Sequence, residues 1–117
     1  MTTLELEIQE ARAQDVRVDE NVLAVDLTDG RTIITPLVWY PRLLYGTPQE
    51  RANFEIIGDG KYIHWLDLDE DLTVAGILAG RHSNESAESL KKWLASRPST
   101  IKQPLRQVAE KKARYRK

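Results

Sequence analysis

Leu23-Ala-Val-Asp-Leu-Thr-Asp-Gly-Arg-Thr-Ile-Ile-Thr-Pro-Leu-Val-Trp-Tyr-Pro-Arg-Leu-Leu44 decides the fold of this 117-residue chain. Two alternating runs, residues 23–28 and 31–36, flank Asp29-Gly30. Asp-Gly between such runs is a strong hairpin signal, because a two-residue type I′ turn needs positive φ at both central positions. That turn sets Leu27 opposite Thr32, Val25 opposite Ile34 and Leu23 opposite Pro36. One face then carries Leu23, Val25, Leu27, Ile34 and Pro36, and the other carries Asp26, Thr28, Arg31, Thr35, Ala24 and Ile33. Pro36 lacks the N–H a ladder needs and ends its strand.

Upstream, Val16 and Val18 mark a short strand over residues 15–19, which makes a three-stranded antiparallel meander with the hairpin. Leu4, Leu6 and Ile8 alternate with glutamates, so residues 4–8 read as a further strand, although Leu and Glu also suit a helix. Downstream, Pro41 suits the first turn of a short helix. Thr47-Pro48-Gln49-Glu50 has the form of a capping box and predicts a helix ending near Asn53. Residues 54–57 and 61–65 form a second hairpin around Gly58-Asp59-Gly60. Residues 66–71 form an acidic loop, and residues 72–79 a short strand or helical turn stopped by Gly80. Ser83 or Asn84 caps a helix running to about Ser96, with Ala87, Leu90 and Leu94 as its apolar stripe and Trp93 beside it. A weaker amphipathic pattern (Leu105, Val108, Ala109) follows Pro104. The fold class is therefore α+β: a small antiparallel β-meander plus second hairpin, covered by short helices. Its expected units are an α+β domain over residues 1–82, a helix over 83–96 packed on it, and a basic tail over 97–117.

Composition narrows the chemistry. The chain has no cysteine, which excludes disulfides, thiol catalysis and thiolate metal sites. It has no apolar run long enough to span a bilayer and no signal-peptide pattern, so a cytoplasmic location without membrane partners is expected. The net charge of −1 conceals a division. Residues 1–96 hold 9 Lys/Arg against 17 Asp/Glu, whereas residues 97–117 hold 8 Lys/Arg against one acid. A basic tail on an acidic body either binds an acidic partner or returns to its own body.

Three segments are candidates for function. Trp39, Tyr40 and Arg42 can form an exposed partner-binding patch, since Trp, Tyr and Arg concentrate at interface hot spots. Alternatively Trp39 plugs the sheet and Tyr40 snorkels, or Trp39 lies inside with Tyr40 and Arg42 outside. His64, Asp67, Asp69, Glu70 and Asp71 place one imidazole and four carboxylates within eight residues. A hard cation or a general base could use them, but the glycine and glutamate of a calcium loop are missing. The plainer reading has Trp65, Leu66 and Leu68 anchoring the loop while Asp69 and Asp71 cap a turn or pair with Arg42 or Arg81. In the tail, Arg106, Lys111, Lys112, Arg114, Arg116 and Lys117 could contact nucleic-acid phosphates or a protein partner. No phosphate-binding loop, nucleophile elbow or cofactor motif is present.

Asp29-Gly-Arg, Pro36-Leu-Val-Trp-Tyr-Pro-Arg-Leu-Leu44, Thr47-Pro-Gln-Glu-Arg-Ala-Asn53, Ile63-His-Trp-Leu-Asp-Leu-Asp-Glu-Asp-Leu72 and Gly76-Ile-Leu-Ala-Gly80 together resemble the bacterial domain-of-unknown-function 2442 family. The likeness covers roughly residues 11–80. It implies a small α+β domain and no established activity. Some members carry an added helix-turn-helix domain, for which the residues after the match are too few here. Some stand beside a small toxin-like protein in operons resembling toxin–antitoxin pairs. The resemblance and the charge division together lead to the expectation of a non-enzymatic binding or regulatory protein. Its partner is then a small toxin-like protein, and no cofactor is implied. The alternatives are a nucleic-acid-binding accessory protein acting through the tail, and a metal-dependent enzyme centred on His64 and Asp67–Asp71.

Overall fold

The structure is a computed structural model and describes residues 2–98. The expected amphipathic pattern after Pro104 and the tail residues Arg106 to Lys117 lie outside the described residues. Two three-stranded antiparallel sheets are joined by short helices. The first contains β1 (Ala13–Val18), β2 (Val22–Leu27) and β3 (Thr32–Pro36), in that order. The second contains β4 (Phe54–Ile57), β5 (Tyr62–Trp65) and β6 (Glu70–Thr73). The helices are α1 (Thr3–Gln9), α2 (Pro41–Leu44), α3 (Pro48–Ala52), α4 (Val74–Leu78) and α5 (Ala87–Ser96).

The meander forms as expected, but its hairpin is slipped by one residue. Leu23 faces Thr35, Val25 faces Ile33 and Val22 faces Pro36. The connection has three residues: Leu27 N–H donates to Arg31 C=O (2.8 Å) and Gly30 N–H donates to Leu27 C=O (3.1 Å). Of its residues Gly30 alone takes positive φ, at 97°, so a type I-like turn followed by left-handed Gly30 replaces type I′. Asp29 favours this form by accepting the Arg31 N–H (3.0 Å) with its carboxylate. Because side chains alternate, the slip turns β3 over. Thr35 becomes buried, and Ile34 becomes 64% exposed.

Residues 4–8 are helical, not a strand. The Thr2 hydroxyl accepts the Glu5 N–H, and the Glu5 carboxylate accepts the Thr2 N–H. This capping box outweighs the alternation, and Leu4 and Leu6 consequently stay exposed. The second capping box forms at Thr47 and Glu50, with Pro48 leading α3. The second hairpin gains a third strand from the end of the acidic run, with Trp65 opposite Glu70 and His64 opposite Asp71. α5 starts later than expected, capped by Ser86.

One core joins both sheets. Leu23, Val25 and Leu27 meet Ile63 and Trp65, and Leu37, Tyr40, Leu43, Leu68, Val74 and Ile77 close around them. The Trp65 indole N–H donates to Arg51 C=O at 3.0 Å, which satisfies the polar edge of a fully buried ring.

Candidate functional site

The corner after β3 is built locally. Leu37–Trp39 forms a 3-10 turn, and Pro41 then opens α2 with its fixed φ. This places Trp39, Tyr40 and Arg42 against a single stretch, residues 81–85. The Trp39 ring stacks on His82 with centroids 3.9 Å apart, and Trp39 C=O accepts the Ser83 N–H (3.0 Å). The Tyr40 hydroxyl donates to Arg81 C=O at 3.4 Å. Arg42 Nε donates to Glu85, and Arg42 Nη1 donates to the carbonyls of Leu68 (3.2 Å) and Asp69 (3.4 Å). Tyr40 is 1% exposed, Trp39 is half-buried and the Arg42 side chain is 18% exposed. Tyr40 thus takes the inner place and Trp39 the outer, the reverse of a corner with Trp39 inside. The three residues brace a strap made by residues 81–85.

Between this strap and β6 lies a groove of about 530 Å³. Every residue from Asp69 to Thr73 lines one wall, so the hollow abuts the strand's edge and not merely one face. Residues 81–85 form the other wall, and Tyr40, Gly76 and Ile77 also line it. β6 is an edge strand, laddered to β5 on one side. Among the described residues, the backbone hydrogen bonds of turns, loops and caps include none to Glu70, Asp71 or Leu72. Gly76 keeps the α4 end narrow, since a Cβ there would stand 2.7 Å from the Thr73 hydroxyl.

Acidic side chains outnumber basic ones in the groove: Asp69, Glu70, Asp71 and Glu85 against Arg42 and Arg81. Glu70 shares the inner face of β6 with Leu72, opposite buried Trp65. Burial pushes its carboxyl up to about 7; Arg42 opposes this and Glu85 adds to it. Glu85 moves the other way, held below the usual carboxylate range by its hydrogen bond from Arg42. Burial also raises the Tyr40 phenol. Replacing Tyr40 by phenylalanine should cost about 1 kcal/mol, the worth of one hydrogen bond. It should also speed amide exchange at Ser83 without affecting β2; thermal denaturation and hydrogen exchange check both.

The remaining acidic residues diverge. Asp71 is hydrogen-bonded to His64 Nδ1 across the outer face of the sheet. Asp67 accepts from Asn53 Nδ2 at 2.9 Å. Asp69 has a positive φ of 48° and an 87% exposed side chain. Among the described residues, no three His, Asp or Glu side chains are grouped to hold a metal ion. Arg97, counted with the basic tail on composition, is buried instead. Its guanidinium donates twice to Glu50 (2.6 and 3.3 Å) and lies 4.5 Å from the centre of Trp93, whose ring Arg42 also approaches.

Sequence reasoning missed Arg81 and Glu85 as groove walls, and missed that Glu70 faces inward. Only Glu70 had a local signal: Glu70 and Leu72 alternate with Asp71 and Thr73, as in an edge strand.

A family model described as a protein of unknown function (DUF2442) matches residues 13–83. No curated protein matches. Two solved structures are similar. A protein of unknown function from Rhodospirillum rubrum shares 32% identity, with a TM-score of 0.58, over 65% of this chain and 94% of that one. An uncharacterised protein from Chromobacterium violaceum shares 24% identity and the fold, with a TM-score of 0.55, over 74% of this chain and 80% of that one.

Proposed function

The chain belongs to the DUF2442 family of proteins of unknown function, and from that premise we propose that it is a binding protein whose contact surface is the β6 groove. The partner is a small protein that presents an extended basic segment. The observation that carries this reading is an open strand edge facing a groove with an acid-rich lining. An added strand would gain main-chain hydrogen bonds along residues 70–72, while its Lys or Arg side chains would meet Asp69 and Asp71, whose side chains are exposed. Trp39, Tyr40 and Arg42 then serve binding indirectly, by holding the strap that forms the second wall. In its finer form the protein is antitoxin-like and blocks a toxin-like partner by covering it.

Co-expression of the full chain with the protein encoded beside it tests this. The wild type should retain that protein. Asp69→Asn/Asp71→Asn should weaken retention at least tenfold without loss of fold, because asparagine keeps the shape and tolerates the left-handed φ of 48° at position 69, and both side chains are exposed (87% and 68%). No retention by the wild type ends the partner reading, and equal retention by the variant places the contact elsewhere.

A further inference from the structure

We infer that a hollow between α1, α4 and the start of β5 binds a small molecule with an oxyanion head and a short apolar body, its head held by Lys61 and Arg81. This does not depend on the β6 groove binding a segment. The hollow measures about 470 Å³; Thr73 and Arg81 line both it and the groove, but the groove's acids do not line it. Charge is the first argument. Residues 1–96 hold 17 Asp/Glu against 9 Lys/Arg, so a cation there has many acids to choose from. Arg12, Arg17, Arg31 and Arg42 each pair with a carboxylate. Lys61 and Arg81 do not: among the described residues, neither side chain has an ion pair or a hydrogen bond. Two cations on one wall without counter-ions leave a local positive potential for an anionic ligand. Glu5 also lines the hollow, but its carboxylate is occupied with the Thr2 N–H (2.8 Å) in the α1 capping box.

Local structure brings both residues to one turn. Lys61 C=O accepts the Val74 N–H (2.9 Å), which ties it to the start of α4. Arg81 N–H donates to Gly76 C=O (2.9 Å), which folds the chain back along the same helix. The Arg81 side chain then passes across Gly76, its Cδ 3.9 Å from where a Cβ would stand. The rest of the hollow is largely apolar and short in side chain. Ala75 and Ala79 lie four positions apart along α4 and its cap, and Ile8 and Ala11 face them from the α1 side. Exposed Tyr62 adds a ring at the rim. An apolar floor with a few polar groups at one end suits a small organic ligand better than a bare ion. Guanidinium and ammonium groups at that end select a carboxylate or phosphate head.

Amide chemical shifts of the full chain, followed at constant ionic strength, test this with three probes: inorganic phosphate, phenyl phosphate and benzoate. At least one of the two aromatic anions should shift Gln9, Lys61, Tyr62 and Ala79 saturably, and bind at least fivefold more tightly than inorganic phosphate. The tighter of the two identifies the head that the site takes. Lys61→Gln/Arg81→Gln should weaken that binding at least tenfold with the fold retained, since neither side chain has a partner to lose. Lys91→Gln/Lys92→Gln removes equal charge from α5 and should leave the binding unchanged. No saturable shift with any probe, shifts centred on another surface, unchanged affinity in Lys61→Gln/Arg81→Gln, or equal losses in the two double variants overturns the inference. So does inorganic phosphate binding as tightly as the aromatic anions, since the apolar floor then takes no part.

Discussion

Replacing Arg51 by methionine should destabilise the protein by about 3 kcal/mol, the cost of losing two charge-assisted hydrogen bonds, which leaves the Leu44 carbonyl short of a donor and the Leu43 carbonyl with the Gly46 N–H (3.2 Å). Arg51 is 6% exposed although it lies in a helix of only five residues. Its Nε donates to Leu43 C=O at 2.8 Å and its Nη2 to Leu44 C=O at 2.6 Å. These carbonyls end α2, where a helix presents unpaired acceptors and the negative end of its dipole. Burial lowers the guanidinium's pKa, while Glu20, Asp19 and Glu50 oppose that shift. Methionine keeps much of the volume and removes the donors, so the loss reports the hydrogen bonds more than a cavity. Urea denaturation should show a lower midpoint with an unchanged slope. Arg51→Lys should recover only part of the loss, because an ammonium lacks the fork that reaches two carbonyls. A cost below about 1 kcal/mol would mean that the α2 carbonyls find other donors. Since α2 carries Arg42, a loosened α2 should also loosen the strap.

Glu70→Gln should make the protein more stable at about pH 8 by roughly 2 kcal/mol and change it little at about pH 5. The sign follows from the direction of the shift. Glu70 holds its proton up to about 7 in the folded chain, against an ordinary value of 4.5. The native state therefore binds more protons than the unfolded state between those values. Stability falls as pH rises through that window and levels off above it. The full shift would correspond to a larger energy; the smaller figure allows for partial solvent access at the groove mouth. Glutamine keeps the shape and never ionises, so the downward step should vanish. Denaturation midpoints of both proteins across the pH range test this, and parallel curves would show that Glu70 ionises without cost. The same carboxylate gives basic-segment binding a pH dependence. Ionised Glu70 adds a charge to the groove above about pH 7, so affinity should rise there.

What the sequence disclosed depended on range. Capping at Thr47 and Glu50 involves atoms three residues apart and was legible in full. The same chemistry at Thr2 and Glu5 was obscured by the period-two alternation of Leu4, Leu6 and Ile8. Asp29-Gly30 announced a hairpin but not its register. Two-residue and three-residue connections both use Asp-Gly, and the choice fell to the Asp29 carboxylate on the Arg31 N–H and to the burial of Thr35 in place of Ile34. The aromatic corner was visible as a cluster but not in its orientation. Tyr40 could enter the core because its hydroxyl meets the Arg81 carbonyl, forty-one residues away, and no local rule supplies that partner. The groove was hidden for the same reason, since its walls come from β6 and from a strap held by side chains some forty positions earlier.

The central claim is that the open edge of β6 accepts an extended basic segment. Hydrogen exchange of the full-length chain, with and without the partner retained in co-expression, tests it most directly. Partner binding should protect amides within Glu70–Thr73 and residues 81–85 and leave the β2–β3 hairpin unchanged. Protection confined to β1–β3, or to the outer face of β5 around His64, with β6 exchanging as before, would contradict it.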